Sequence, residues 1–215
     1  MSVDTLFFDL DGTLVDSEQG IVASIQYALA GLGRPVPSRE ELLPWIGPPL
    51  RDSFGQLFPH DPALVERALA LYRERYGADG WRELRVFDGI PEAIGTLRSA
   101  GHRLAVVTSK NEGFARRIIG HLPFGACFEE VVGASDDGHR RFKVDLIAEA
   151  LRRLAVVPAR CWMTGDRHMD MEGAVAHRMR CVGVLWGFGS RKELSAAGAT
   201  RLVDAPEQLP QAYDA

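Results

Sequence analysis

The chain has 215 residues, 46% of them hydrophobic, with 25 basic against 29 acidic side chains and a formal net charge of -4. That length can bury a full core and carry a smaller insert, while the acidic balance argues against nucleic acid or an anionic membrane as the main partner. No long apolar span or cleavable leader is read, because the first apolar run, Leu6 to Phe8, meets an acid almost at once, so a cytoplasmic protein is expected.

Residues 5 to 8 read as a buried strand that delivers Asp9 and Asp11 to its C-terminal edge, where open α/β sheets bind their ligands. Side chains two apart on an extended chain share a face, so the two carboxylates repel unless a cation or hydrogen-bond donor offsets them. A divalent metal is one compensation; an Asx-type turn with solvated acids is the plainer alternative. Gly12 allows an unobstructed turn, and Thr13 offers a hydroxyl and an N–H to an anion.

Residues 18 to about 80 carry helical patterns and no convincing strand. Ile21, Ile25, Ala28, Leu29 and Leu32 form one stripe, and Leu64, Ala68, Leu71 and Tyr72 a second. Ser38 to Glu41 has the form of a capping box. Near the Gly47-Pro48-Pro49 loop, Trp45 could stack on a base or sugar or fill a core position, and Arg51 could meet a substrate anion or simply sit in solvent.

From about Val86 the pattern becomes alternating strand and helix, which implies parallel strands with crossover helices. Arg103 to Thr108 is an apolar strand whose terminal Thr108-Ser109-Lys110 precedes a helix-compatible stretch, Glu112 to His121. Hydroxyls there suit a phosphate at a helix N-terminus, or an ordinary cap. Lys143 opens an amphipathic segment through Leu154, after the basic run His139-Arg140-Arg141. Cys161 to Gly165 is another short strand, broken at glycine and followed by Asp166 and Asp170, whose spacing brings them together if a helix starts at once. Mg²⁺ needs only a few such acids. Cys127, Cys161 and Cys181 are odd in number and widely spaced, and read as small buried hydrophobes.

Taken in order, Asp9-Leu-Asp11-Gly12-Thr13, Thr108-Ser109-Lys110, Lys143 and Gly165-Asp166-Arg167-His-Met-Asp170 resemble the four motifs of the haloacid dehalogenase superfamily. Residues 45 to 50, 137 to 143 and 183 to 189 resemble its phosphoglycolate phosphatase and 5'-nucleotidase-like branch. The resemblance implies an α/β fold: a Rossmann-like parallel-sheet core of residues 1–15 and 85–215 with an inserted helical cap of residues 16–84. It implies a Mg²⁺-dependent phosphatase acting on a small phosphorylated metabolite (phosphoglycolate, a nucleotide or a sugar phosphate), as a monomer or homodimer. Asp9 would be the nucleophile, Asp11 the acid and base, and Lys143 the charge that neutralises the transferring group. Gly12, Thr13, Thr108, Ser109 and Lys143 would bind phosphate, and Asp9, Asp11 (through its carbonyl), Asp166 and Asp170 would form or support the metal site.

Asp11 separates the chain from the superfamily's dehalogenases, which do not use this acid, and from its transport ATPases, which carry threonine there. The phosphonate-cleaving branch needs a cap lysine, and Lys110, Lys143 and Lys192 all fall outside the insert. A phosphomutase of the β-phosphoglucomutase type also needs both acids and stays open, as does a non-catalytic phosphate sensor. Two departures stand out: Val144 where many relatives have proline, and His177-Arg178 where they commonly have glycine. A left-handed residue at Arg178 would cost about 1 kcal/mol.

Overall fold

The computed structural model describes residues 4–214, and the chain divides into two compact units. One is formed by the chain up to Asp16 and from Val86 onward, the other by Ser17–Arg85.

The first strand, β1 (Thr5–Phe8), is buried along its whole length, as a central parallel strand covered on both faces must be. The chain leaves the sheet unit through β2 (Val15–Asp16) and builds α1 (Glu18–Gly31), α2 (Arg39–Leu42), α3 (Leu50–Leu57) and α4 (Pro62–Ala78) before returning through β3 (Arg85–Val86). Ser38 closes the expected capping box: Glu41 N–H donates to its hydroxyl and Ser38 N–H donates to the Glu41 carboxylate, at 3.3 and 2.8 Å. Ile21, Ile25, Ala28 and Leu29 form the buried stripe of α1, with Leu32 only half-buried. On α4 the buried face is Val65, Ala68, Leu69, Tyr72 and Tyr76, while Leu64 and Leu71, expected inside, are half-buried. The two tyrosines carry more apolar area than the two leucines and set the rotation of the helix.

The sheet unit continues with α5 (Ile90–Ser99), β4 (Arg103–Asn111), α6 (Glu112–Ile119), β5 (Phe128–Ala134), α7 (Lys143–Leu154), β6 (Cys161–Gly165), α8 (His168–Ala176), β7 (Arg180–Val184), α9 (Arg191–Ala196), β8 (Arg201–Val203) and α10 (Leu209–Ala212). Six parallel strands run in the order β5-β4-β1-β6-β7-β8. Strand order reverses at β1, which lies between β4 and β6, so the crevice for a ligand falls at the C-terminal ends of these three strands. Beneath it, Phe7, Ala105, Val107, Met163 and Cys181 of the sheet pack with Leu146, Ile147, Met171 and Ala174 of α7 and α8 in one hydrophobic cluster. Cys161 and Cys181 are buried free thiols, Cys161 pushed up to about 12 by burial and then by Asp4.

β4 runs further than its sequence pattern suggests. It passes through Thr108 to Asn111, with an irregular register against β5 between Val107 and Asn111. The side chain of Asn111, accepting from Gly113 and Phe114 N–H, caps α6. Thr108 therefore stands inside a strand, three residues before the cap, rather than at a helix N-terminus.

Candidate active site

Two strand ends and one helix turn supply the site's acids. Asp9 directly follows β1, Asp166 directly follows β6, and the first turn of α8 presents Asp170. All three carboxylates are buried, and each offers an oxygen within 4.8 Å of the other two. Lys143, the first residue of α7 and itself buried, aims its ammonium into this group, 2.9 Å from Asp9 Oδ1 and 2.7 Å from Asp170 Oδ1. Its aligned hydrogen bond goes to the Val107 carbonyl at 2.7 Å. The two carboxylate oxygens beside it remain buried without a well-aligned donor.

Burial alone would push the Lys143 ammonium toward neutrality, yet Asp170 and Asp9 outweigh it and hold its pKa above the ordinary lysine value. Asp166 is driven well above the usual carboxylate range by burial, then by Asp170 and Asp9, against the opposing Phe188 N–H and Arg167. Burial also raises Asp170, with Lys143 opposing and Asp9 adding. Asp11, also buried, is held separately: Lys110 Nζ lies 3.0 and 2.8 Å from its two oxygens.

Four buried carboxyl groups thus face two ammonium groups, and the crowding that raises Asp166 and Asp170 marks a site short of positive charge. Hard oxygen donors, two of them short of aligned hydrogen bonds, suit a dication such as Mg²⁺. Asp9, Asp166 and Asp170 fit that role. The Asp11 carboxylate does not belong to the cluster, because Lys110 holds it. His168 does not join either; its Nδ1 pairs with Glu172 at 3.2 Å.

Two glycines make the close approach possible. Gly12 has φ +82°, and a Cβ there would fall 2.3 Å from Asp166 Oδ2; one on Gly187 would fall 2.3 Å from the Gly12 carbonyl oxygen. The Phe188 N–H beside Gly187 donates to Asp166 Oδ2 at 2.8 Å, and the Trp186 indole donates to the Thr13 carbonyl at 3.1 Å. The loop after β7 therefore braces both acidic loops, a role its sequence did not disclose except through the flanking glycines.

Gly12 and Thr13 are placed differently from the expectation of anion contacts. Gly12 N–H donates to Val15 O at 2.8 Å, Thr13 N–H to Leu10 O at 3.3 Å, and the Thr13 hydroxyl to Asp166 Oδ1 at 3.2 Å. In this arrangement they shape the turn and orient Asp166. The Thr108 hydroxyl accepts from Lys110 N–H at 3.2 Å, which leaves its own proton to give, and Ser109 Oγ is buried without a hydrogen bond. The basic run before Lys143 is committed elsewhere: Arg140 pairs with Glu112 at 2.9 Å, and Arg141 stacks on Phe142 at 4.3 Å. In the helical unit, Arg51 pairs with Glu66, and half-buried Trp45 meets Phe54 edge-on at 5.4 Å.

A doubly wound parallel sheet with buried acids and a lysine at its switch point is the frame of an α/β hydrolase. The chain belongs to the haloacid dehalogenase-like hydrolase family, whose profile matches residues 6–184. It is 42% identical over 204 residues to the tyrosine-protein kinase PtkA of Mycobacterium tuberculosis, covering 95% of this chain and 69% of that one. It is 44% identical over 191 residues to a 5'-nucleotidase of Pseudomonas aeruginosa, covering 89% and 86%. Its fold superposes with a TM-score of 0.93 on the crystal structure of a predicted phosphatase from Clostridium acetobutylicum, at 35% identity over 98% of each chain. Among the described residues no helix is long and apolar enough to cross a membrane.

Proposed function

We propose that the protein is a Mg²⁺-dependent phosphatase that hydrolyses a small phosphate monoester through an aspartyl-phosphate. The observation that carries this reading is the buried group of Asp9, Asp166, Asp170 and Lys143, with Asp11 next to it on the same turn. Similarity to a 5'-nucleotidase and, at 27% identity, to a phosphoglycolate phosphatase of Pseudomonas putida supports the substrate class.

Asp9 attacks phosphorus, and the bond from phosphorus to the ester oxygen breaks as Asp11 gives that oxygen its proton. Water then attacks the same phosphorus, Asp11 takes its proton, and the bond to Asp9 breaks to release inorganic phosphate. Lys143 and the Thr108 hydroxyl counter the charge on the phosphoryl oxygens, with the Ser109 N–H as a further donor. Asp9, Asp166 and Asp170 would hold Mg²⁺, which would supply charge neutralisation at the phosphoryl group. The helical unit serves as a mobile cap that admits substrate and then excludes stray solvent, and Arg51 and Trp45 are its candidates for substrate contact.

A sensor could discard a nucleophile at no cost in affinity, so retention of Asp9 and Asp11 together favours turnover. The test is release of phosphate from p-nitrophenyl phosphate with and without Mg²⁺. Asp9→Asn should lower kcat at least about a thousandfold while the fold persists. Undiminished activity in that variant, or label exchange between positions of a hexose phosphate without net release, would remove the hydrolase reading.

A further inference from the structure

Lys110 has no part in the chemistry described above, yet its ammonium is bound to Asp11 through both carboxylate oxygens, with side-chain exposures of 6% and 10% for the pair. Only three of the chain's 25 basic residues are lysines, and Lys110 and Lys143 are the two that pair with the site's acids. Burying such a pair carries a desolvation penalty for each ion, which argues that the charge serves more than the fold. Lys143 stands on the side of Asp9, where phosphorus is attacked. Lys110 stands on the side of Asp11, where the leaving oxygen departs. The lysine is also tied to the phosphate-binding end of β4, since its backbone N–H donates to the Thr108 hydroxyl.

We propose that Lys110 selects the leaving group: its ammonium is shared between Asp11 and an anionic substituent, a carboxylate or second phosphate, carried two or three bonds from the ester oxygen. This rests on the phosphatase reading for the place of Asp11 beside that oxygen. The distances close. An oxygen hydrogen-bonded to Asp11 at about 2.8 Å lies no more than about 6 Å from Lys110 Nζ. A carboxylate two or three bonds further on spans roughly half of that gap, and a charge-assisted hydrogen bond of about 2.8 Å spans the rest. Lysine suits this sharing, because a compact ammonium with three rotatable donors can serve two acceptors at once.

The test separates binding from turnover. In an Asp9→Asn background with Mg²⁺, 2-phosphoglycolate and ethyl phosphate share the phosphoryl group and differ in the charge of the leaving group. Calorimetric titration should show 2-phosphoglycolate bound at least about tenfold tighter, and Lys110→Met should reduce that preference to about twofold or less, while Lys110→Arg keeps most of it. Should Lys110→Met not fold, Lys110→Gln combined with Asp11→Asn removes both charges together and reads the same ratio. The proposal is overturned if 2-phosphoglycolate does not bind, if the parent shows no preference, or if the variants weaken both ligands equally, as a purely structural ion pair would. Phosphate release by the unsubstituted protein is scored apart. A charge preference that depends on Lys110, without hydrolysis of either ester, supports Lys110 as the binder of the anionic substituent and overturns its assignment to a leaving group together with the phosphatase reading.

Discussion

Arg178 and Ala155 hold φ values of 57° and 52°, the left-handed conformation that an L side chain adopts at a cost. The sequence flagged Arg178 as standing where glycine is common, and its backbone does take the glycine conformation. Relief of that strain, less the entropy glycine adds to the unfolded chain, should make Arg178→Gly and Ala155→Gly each more stable by about 0.5–1 kcal/mol. Urea unfolding measures this, and a loss of stability at Arg178 would mean that its side chain does more than sit in solvent. Gly187 is the opposite case, since an added Cβ would meet the Gly12 carbonyl oxygen at 2.3 Å and the buried Asp166 side chain at 2.4 Å. Gly187→Ala should cost about 1–3 kcal/mol and lower phosphatase activity by displacing Asp166, with unfolding and turnover measured on the same sample.

At the scale of elements, α6, β5 and α7 are joined by a charge network rather than by apolar contact alone. Glu112 at the start of α6 meets Arg116, Arg140 and Arg153, Glu130 of β5 meets Arg116, and Glu149 of α7 meets Arg152 and Arg153. The run His139-Arg140-Arg141, read from sequence as a possible border of an anion site, spends Arg140 here. Glu149 is held down to about 2 by hydrogen bonds from Arg152 and then Arg153. A carboxyl depressed in the folded state contributes stability that is present above its unfolded pKa, near 4.5, and is lost as pH falls toward 2. Solvent screening keeps the contribution to about 1 kcal/mol or less. Glu149→Gln should therefore be less stable than the parent at pH 7, with the gap closing between pH 5 and 2. A gap that stays constant across that window in urea titrations would refute the assignment.

For the whole molecule, the crowding of buried acids at the sheet's switch point makes stability depend on what binds there. A dication at about 100 times its Kd adds about 2.7 kcal/mol, which for a chain of this size raises Tm by roughly 5–10 °C. Asp166→Asn removes one repelling carboxylate and one donor. It should be more stable than the parent without metal and show little further gain with Mg²⁺. Calorimetric scans with and without Mg²⁺ check both halves, and an unchanged Mg²⁺ shift in the variant would exclude Asp166 as a ligand.

Local patterns carried the alternation of strand and helix, the capping box at Ser38 and the placing of Asp9, Asp166 and Asp170 after strands, because periodicity and the acid or glycine at a strand's end are properties of neighbours in sequence; Lys143 stood out only through its order among the four motifs of the family resemblance. Other features were decided by partners far along the chain. The ammonium on Asp11 comes from 99 residues away, and the N–H that holds Asp166 comes from a loop 22 residues on. The continuation of β4 through Thr108 depends on its pairing with β5, and the rotation of α4 on which aromatic rings found a neighbour. The amino-acid order by itself determined which groups arrive at the sheet edge. Only the tertiary structure decided how their charges are paired, since pairing is set by distance across strands and not by spacing along them.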